Sequence, residues 1–301
     1  ATSLIAVQAT ALLHQAGVPK TCLQLVPGEG AVVGPVLCAA PNVSGVCFTG
    51  STATAQAINR VMAENLPPQA PLIAETGGLN AMIVDSTALL EQAVQDVVVS
   101  AFQSAGQRCS ALRMLYVQSD IADAFERMLC GAMQALVVGP PDAADCDVGP
   151  VIDAAAQARI AAHIAGHKIL FQTSAPQKGY FVAPTILSVS GMSDLHEEIF
   201  GPVLHLARYD AGDLDRVIDE INASGYGLTF GFHSRINDRL QKIVSRVNVG
   251  NLYINRNQIG AVVGSQPFGG HGLSGTGPKA GGPRYLPRFV AQRFMTAEGP
   301  L

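Results

Sequence analysis

The chain has 301 residues, 48% of them hydrophobic and 14% charged, with a formal net charge of −4. That much apolar side chain fills the core of one large or two ordinary globular domains and excludes a disordered tail. Mild acidity with scattered lysines and arginines forms no basic stripe, which argues against nucleic-acid binding and leaves small charged ligands open.

In chain order, residues 2–16 read as a helix, "CLQLVPG" (22–28) as a strand and turn, 31–39 as a helix, "GVCFTG" (45–50) as a strand, 51–65 as a helix and "PLIAETGG" (71–78) as a strand. Residues 30–59 carry no charge, but Gly34-Pro35 and Pro41-Asn42 interrupt them too often for a lipid-spanning helix, so the stretch reads as buried α/β core. Strand-helix-strand repetition with apolar strands implies a doubly wound parallel sheet. After Gly78 a second α/β unit begins with "NAMIVD", a helix over about 89–104, the strand "RMLYVQ" and a helix over about 121–136. It continues with "VLHLARY", a helix over 213–223, "LTFGFHS", a helix over 236–247 and "GNLYINR". From Ile259 onward Gly and Pro dominate, and the Val, Phe and Leu among them suggest an ordered loop around a site rather than a linker. No signal peptide or lipidation pattern opens the chain, and its start inside a helix suggests a fragment or processed product.

Six cysteines form no CxxC pair and no zinc-like spacing, so no metal is expected. A chain this large and apolar needs no disulfide, which points to a reducing cytoplasm and to thiols that are mostly small buried hydrophobes. The histidines, including His163 and His167 at i,i+4, lack a carboxylate companion and read as surface residues, and Asp142, Asp145 and Asp147 as loop solvation.

Four places could carry chemistry. In "CFTGST", Gly50 permits close backbone approach, and Ser51 either caps the following helix or offers its hydroxyl to a phosphate at the positive helix end. In "AETGG", Glu75 ends an apolar strand, where ligands sit in open parallel sheets; a partly buried carboxylate there is either a general base or a cap. Cys109 lies 34 residues further on in "FQSAGQRCSALR". Its small polar neighbours argue against a passive apolar slot and for a nucleophilic thiolate, with Arg108 and turn N–H groups to stabilise it. "HEEIFGPV" puts Glu197, Glu198 and Phe200 at a turn that is either a solvated acidic corner or a contact for ribose and a nicotinamide face.

Taken in order, "FTGS", "ETGGLNAMIVD", "FQSAGQRCSALR", "EEIFGPV", "GNLYINR" and "PFGGHGLSG" resemble the aldehyde dehydrogenase superfamily, from the first residues to about Gly277. More narrowly, "NRNQIGAVVGSQPFGGHGLSGTGPKAGGPRYL" resembles the glutamate-semialdehyde (Δ1-pyrroline-5-carboxylate) dehydrogenase module of bifunctional bacterial proline-utilisation enzymes. The resemblance implies an α/β fold in which 1–77 are the C-terminal part of an NAD-binding domain, 78–277 a catalytic domain and 278–301 an extension. It implies that Cys109 is the nucleophile and Glu75 the base for the deacylating water. Gly50 and Ser51 are expected at the cofactor pyrophosphate, Glu198 at the nicotinamide ribose and Phe200 beside that end. Gly260 and Ala261 are expected to hold the substrate α-carboxylate through backbone N–H groups, with Ser110 adding a hydroxyl and Phe268 packing on the aliphatic chain.

The implied activity is NAD-dependent oxidation of L-glutamate 5-semialdehyde to glutamate, in a cytoplasmic parent chain that is peripheral at the inner membrane, forms homo-oligomers and carries FAD only in a separate proline dehydrogenase domain. The alternatives are another ω-semialdehyde dehydrogenase, such as one for succinate semialdehyde, and a noncatalytic scaffold. The family's oxyanion-stabilising asparagine belongs upstream of Ala1, and losing one such donor costs on the order of 100- to 1000-fold, so the 301 residues alone are expected to be inactive or nearly so.

Overall fold

The computed structural model describes residues 2–262 and 264–290. Its helices are α1 (Ser3–Gln15), α2 (Gly30–Cys38), α3 (Thr52–Asn65), α4 (Leu90–Phe102), α5 (Ser119–Gln134), α6 (Ala154–Ala165), α7 (Leu214–Ala223) and α8 (Asn237–Arg246). The strands are β1 (Val46–Thr49), β2 (Leu72–Glu75), β3 (Ala81–Val84), β4 (Met114–Gln118), β5 (Lys168–Gln172), β6 (Thr185–Ser188), β7 (Val203–Tyr209), β8 (Tyr226–Gly227), β9 (Thr229–His233), β10 (Asn251–Ile254) and β11 (His271–Gly272).

β1 and β2 form a two-stranded parallel sheet. A seven-stranded sheet has the order β10-β9-β3-β4-β7-β6-β5 and is parallel at every pair except β5–β6. Its central strands are buried on both faces, and the period-two alternation of β4 shows how the core divides. Leu115 and Val117 join Val97, Phe102, Phe125 and Leu129 under α4 and α5, whereas Met114 and Tyr116 join Val217, Ile218, Ile221 and Ile243 under α7 and α8. Burying each such side chain contributes about 1.5–3 kcal/mol, so this sheet carries most of the hydrophobic stabilisation.

The N-terminal part is thinner than its sequence suggests. The uncharged stretch 30–59 is not buried core: only Cys38 and Ala55 within it are buried, while Val32 and Val36 are 67% and 70% exposed. α1 buries no residue. The two-stranded sheet offers too little surface to cover two apolar helices, and the small core beneath it consists of Cys38, Met62 and Leu66 with a few partly buried neighbours. "CLQLVPG" forms no strand; Leu25 and Val26 are exposed, and an apolar run without an edge to pair with gains nothing from extension.

Three elements carry too weak a pattern to be read from sequence. α6 is alanine-rich, so its apolar stripe hardly contrasts with its other face, and β5 is a largely exposed antiparallel edge paired with the short β6. The cysteines also depart from the expectation that most are buried: among the six, Cys38 alone is. His205 and His233 are buried rather than superficial. His205 sits on a central strand, where its Nδ1 meets the Arg113 carbonyl at 2.9 Å and its Nε2 meets His163 Nε2 at 2.8 Å. Asp142, Asp145 and Asp147 are exposed, as a solvated loop requires. Among the described residues no helix is long and apolar enough to cross a membrane, and no cluster of ligating side chains fits a metal ion.

The glycine-rich segment is ordered, and it completes the smaller sheet. Thr76 N–H donates to the Ser274 carbonyl at 3.0 Å and Thr276 N–H to the Ala74 carbonyl at 2.9 Å, which sets Glu75 opposite Gly275 in an antiparallel bridge. A second bridge pairs Phe268 with Ala280, and β11 pairs antiparallel with β8. β8 and β11 make a third small sheet, and Gly269 N–H donates to Asn251 Oδ1 on β10 at 3.2 Å, so residues 268–280 tie β2 to the seven-stranded sheet.

Candidate active site

The site lies where the carboxyl end of β2 meets the segments that enter β3 and β4. Cys109 is presented by an unusual turn. α4 ends at Phe102, and Ser104, Ala105 and Gly106 then take left-handed backbone angles in succession, with φ of 56°, 53° and 64°. For a residue with a Cβ this conformation costs roughly 1–2 kcal/mol, and it persists where surroundings over-determine it. Here Gln107 Nε2 donates to the carbonyls of Ser104 and Pro150, its Oε1 accepts from Ile152 N–H at 2.9 Å, and Arg108 Nε donates to Ser104 Oγ at 3.0 Å. Gly106 is obligatory, because a Cβ there would lie 2.1 Å from the Gly201 carbonyl oxygen.

Two buried side chains fix the backbone on either side of the thiol. Asn80 Nδ2 donates to the carbonyls of Cys109 and Ala111 at 2.6 and 2.9 Å, while its Oδ1 accepts from Thr229 N–H. The Arg113 guanidinium donates to the carbonyls of Arg108 and Gly201 and to Glu198 Oε1 at 3.1 Å. It also stands 5.4 Å from the centroid of the Phe200 ring. Neither residue has a linear signature: each is a polar residue beside an apolar strand, and its role depends on contacts distant in sequence. Arg108, the cation expected beside the thiolate, is engaged with Ser104, and Arg113 is paired with Glu198, so what favours the thiolate here is the backbone N–H groups of the turn.

Cys109, Glu75, Glu198, Phe200, Gly50, Ser51 and Phe268 line one cavity of about 640 Å³, together with Thr49, Thr52, Arg159, Glu197 and Ala280. Glu75 is held by glycines. Its Oε2 accepts from Gly270 N–H at 3.3 Å, a Cβ on Gly269 would come within 2.6 Å of Oε1, and Oε1 itself is buried without a hydrogen-bond partner among the described residues. Burial pushes the Glu75 carboxyl up to about 7, against the pull of the Gly270 N–H and the Lys279 ammonium. Burial and the neighbouring Glu198 also raise the Cys109 thiol, while the backbone N–H groups of Ser110 and Cys109 act in the opposite direction. Glu198 is raised by burial although Arg113 pulls it down. Gly77 admits this carboxylate, since a Cβ there would fall 1.8 Å from Glu198 Oε2.

On the cavity's other flank, β1 runs through Gly50 into α3. Ser51 Oγ accepts from Thr54 N–H at 3.2 Å, so the serine caps the helix and faces the cavity at once. The first-turn N–H groups there, the Glu198 carboxylate and the Phe200 ring make a cradle that fits a dinucleotide: a positive helix end for phosphate, a carboxylate for a sugar hydroxyl and an apolar face for the nicotinamide.

The proposed substrate residues are less gathered. Phe268 lines the cavity, whereas Ser110, Gly260 and Ala261 lie outside its lining. Ser110 is buried, with its carbonyl accepting from Thr229 Oγ1 and Gln258 Nε2. Gly260, at φ +80°, is exposed beside Ala261.

Comparison with known proteins identifies the family and the fold. Residues 1–295 match the aldehyde dehydrogenase family. The chain is 52% identical to the bifunctional protein PutA of Escherichia coli K12 over 98% of its own length and 24% of that protein's. It is 37% identical to 1-pyrroline-5-carboxylate dehydrogenase 2 of Bacillus subtilis over 95% of its length and 57% of the relative's. A crystal structure of bifunctional proline utilization A superposes with a TM-score of 0.93 at 56% identity, covering 96% of this chain and 30% of that one. A Thermus 1-pyrroline-5-carboxylate dehydrogenase with bound NAD gives 0.88 at 34%, covering 97% and 59%. The chain thus spans about a quarter of the length of the bifunctional relatives, and by the match over residues 1–295 it belongs to the aldehyde dehydrogenase family.

Proposed function

We propose that the chain is the aldehyde-oxidising part of a longer cytoplasmic protein and that, within it, L-glutamate γ-semialdehyde is oxidised to L-glutamate with NAD. The observation that carries this reading is the shared cavity of Cys109 and Glu75. The thiolate of Cys109 attacks the aldehyde carbon, forming a C–S bond and a tetrahedral adduct. NAD, when bound, supplies the hydride acceptor that turns this adduct into a thioester on Cys109. Glu75, its Oε1 free of partners among the described residues, takes a proton from the water that attacks the thioester, the C–S bond breaks, and glutamate leaves as the Cys109 thiolate is restored.

Gly50 and Ser51 bind the pyrophosphate and Glu198 the nicotinamide ribose, with Arg113 keeping that carboxylate in place and Phe200 beside the ring. Gly260, Ala261 and Ser110 hold the amino-acid end of the substrate, and Phe268 packs on its chain. The likeness to bifunctional relatives supports a parent chain that also carries a proline dehydrogenase with its own FAD. The test uses that parent chain: Glu75→Gln gives a single-turnover burst of NADH and an acylated Cys109 detectable by mass, and Cys109→Ala gives neither. Steady NADH formation by Cys109→Ala overturns the reading.

A further inference from the structure

α4 does more than deliver the nucleophile. Gln92, Asp96 and Ser100 recur at i, i+4 and i+8, so they form a single polar stripe along one side of the helix. Each faces the segment that leaves β10 and leads to Gly260. Gln92 Nε2 donates to the Asn255 carbonyl at 2.6 Å. The Asp96 carboxylate, its Oδ2 buried without a hydrogen-bond partner among the described residues, is drawn down by the backbone N–H and side-chain amide of Asn257 although burial raises it. Ser100 Oγ accepts from Gln258 N–H at 3.1 Å. Asn255, at φ +50°, is pinned as well from β9, its side-chain amide exchanging two hydrogen bonds with the Ser234 backbone.

The same stripe touches the nucleophile side. The Ser100 carbonyl accepts from Leu112 N–H at 2.9 Å, and Gln258 Nε2 reaches the Ser110 carbonyl, next to Cys109. Asp96 is backed by His233, whose Nε2 lies 3.5 Å from Asp96 Oδ2 with side-chain exposures of 2% and 13%. One rigid helix therefore holds both the turn that carries the thiol and the root of the loop assigned to the substrate's amino-acid end.

We propose that Gln92, Asp96 and Ser100 are positioning residues that set the distance between Cys109 and the 260–261 loop, and so determine the preference for an aldehyde bearing a distant α-amino-acid group. This rests on the substrate assignment above. A displaced loop weakens the grip on the carboxylate end and leaves attack on a plain aldehyde untouched.

The test compares glutamate semialdehyde with butanal in the full-length parent protein, for wild type and for Gln92→Ala, Asp96→Asn and Ser100→Ala. Gln92 is exposed, so its variant folds even if the buried ones do not. The expected result is a rise in KM for glutamate semialdehyde of about threefold for Gln92→Ala and roughly tenfold or more for the other two, with kcat near wild type and butanal kinetics within about twofold. Equal losses on both aldehydes, or no change in KM, overturn the proposal while leaving the substrate assignment intact. A wild type that does not prefer glutamate semialdehyde to butanal overturns the assignment, and the proposal with it.

Discussion

The two parts of the molecule that supply the candidate catalytic pair are built differently. Cys109 comes from the seven-stranded sheet, where β4 is buried throughout, α4 packs one face on it and the turn between them is clamped by Asn80, Gln107 and Arg113. Glu75 comes from a two-stranded sheet with a small core and two largely exposed helices, and it owes its place to glycine backbone from residues 269–275. Strained geometry is tolerated where packing is dense. A base needs only a confined, poorly solvated position with one oxygen left open.

Substitutions can break or sharpen this contrast. The largest effect is expected from Cys109→Ala, which abolishes NADH formation in the parent chain and leaves cofactor binding measurable by fluorescence titration. Glu75→Gln comes next, with steady-state turnover falling by roughly 10²–10⁴-fold while the first-turnover burst persists, as stopped-flow absorbance shows. In stability, Leu115→Ala in the large core costs about 2–5 kcal/mol in urea unfolding, whereas Leu4→Ala on exposed α1 stays within about 0.5 kcal/mol. Similar costs for both would mean that the thin region is as well packed as the thick one.

The smallest effect is in pH dependence. In the proposed role Glu75 acts ionised, and its carboxyl is raised to about 7, so deacylation is expected to rise with pH through about 7 and to fall roughly tenfold for each unit below it. Rapid-quench measurement of thioester decay isolates this step from thiol ionisation. A profile flat from about pH 6 to 8 would remove Glu75 from the role of base.

Much of the architecture is legible in the sequence because apolar periodicity marks it. β3 and β4 have nearly continuous apolar runs, β7 and β9 interleave apolar residues with polar ones, and α7 and α8 have sharp stripes. α6 escapes notice because alanine gives little contrast, and "CLQLVPG" misleads because its apolar residues have no edge to join. Within the site, Cys109 and Glu75 stand out by chemistry and surroundings. Asn80 and Arg113 do not, since what makes them important is a set of carbonyls brought together from positions up to 88 residues away. The histidines mislead for a related reason: His205 is polar in composition but accepts burial because the Arg113 carbonyl and His163 satisfy both ring nitrogens.

The pairing of β2 with residues 274–276 joins positions about 200 apart in the chain. Such a contact forms only after nearly everything between has been synthesised and collapsed, since closing so long a loop is slow and brings stabilisation late. On a ribosome, the thiol's turn can be complete while the carboxylate still lacks its glycine seat. The two halves of the chemistry thus mature at different moments of the protein's birth.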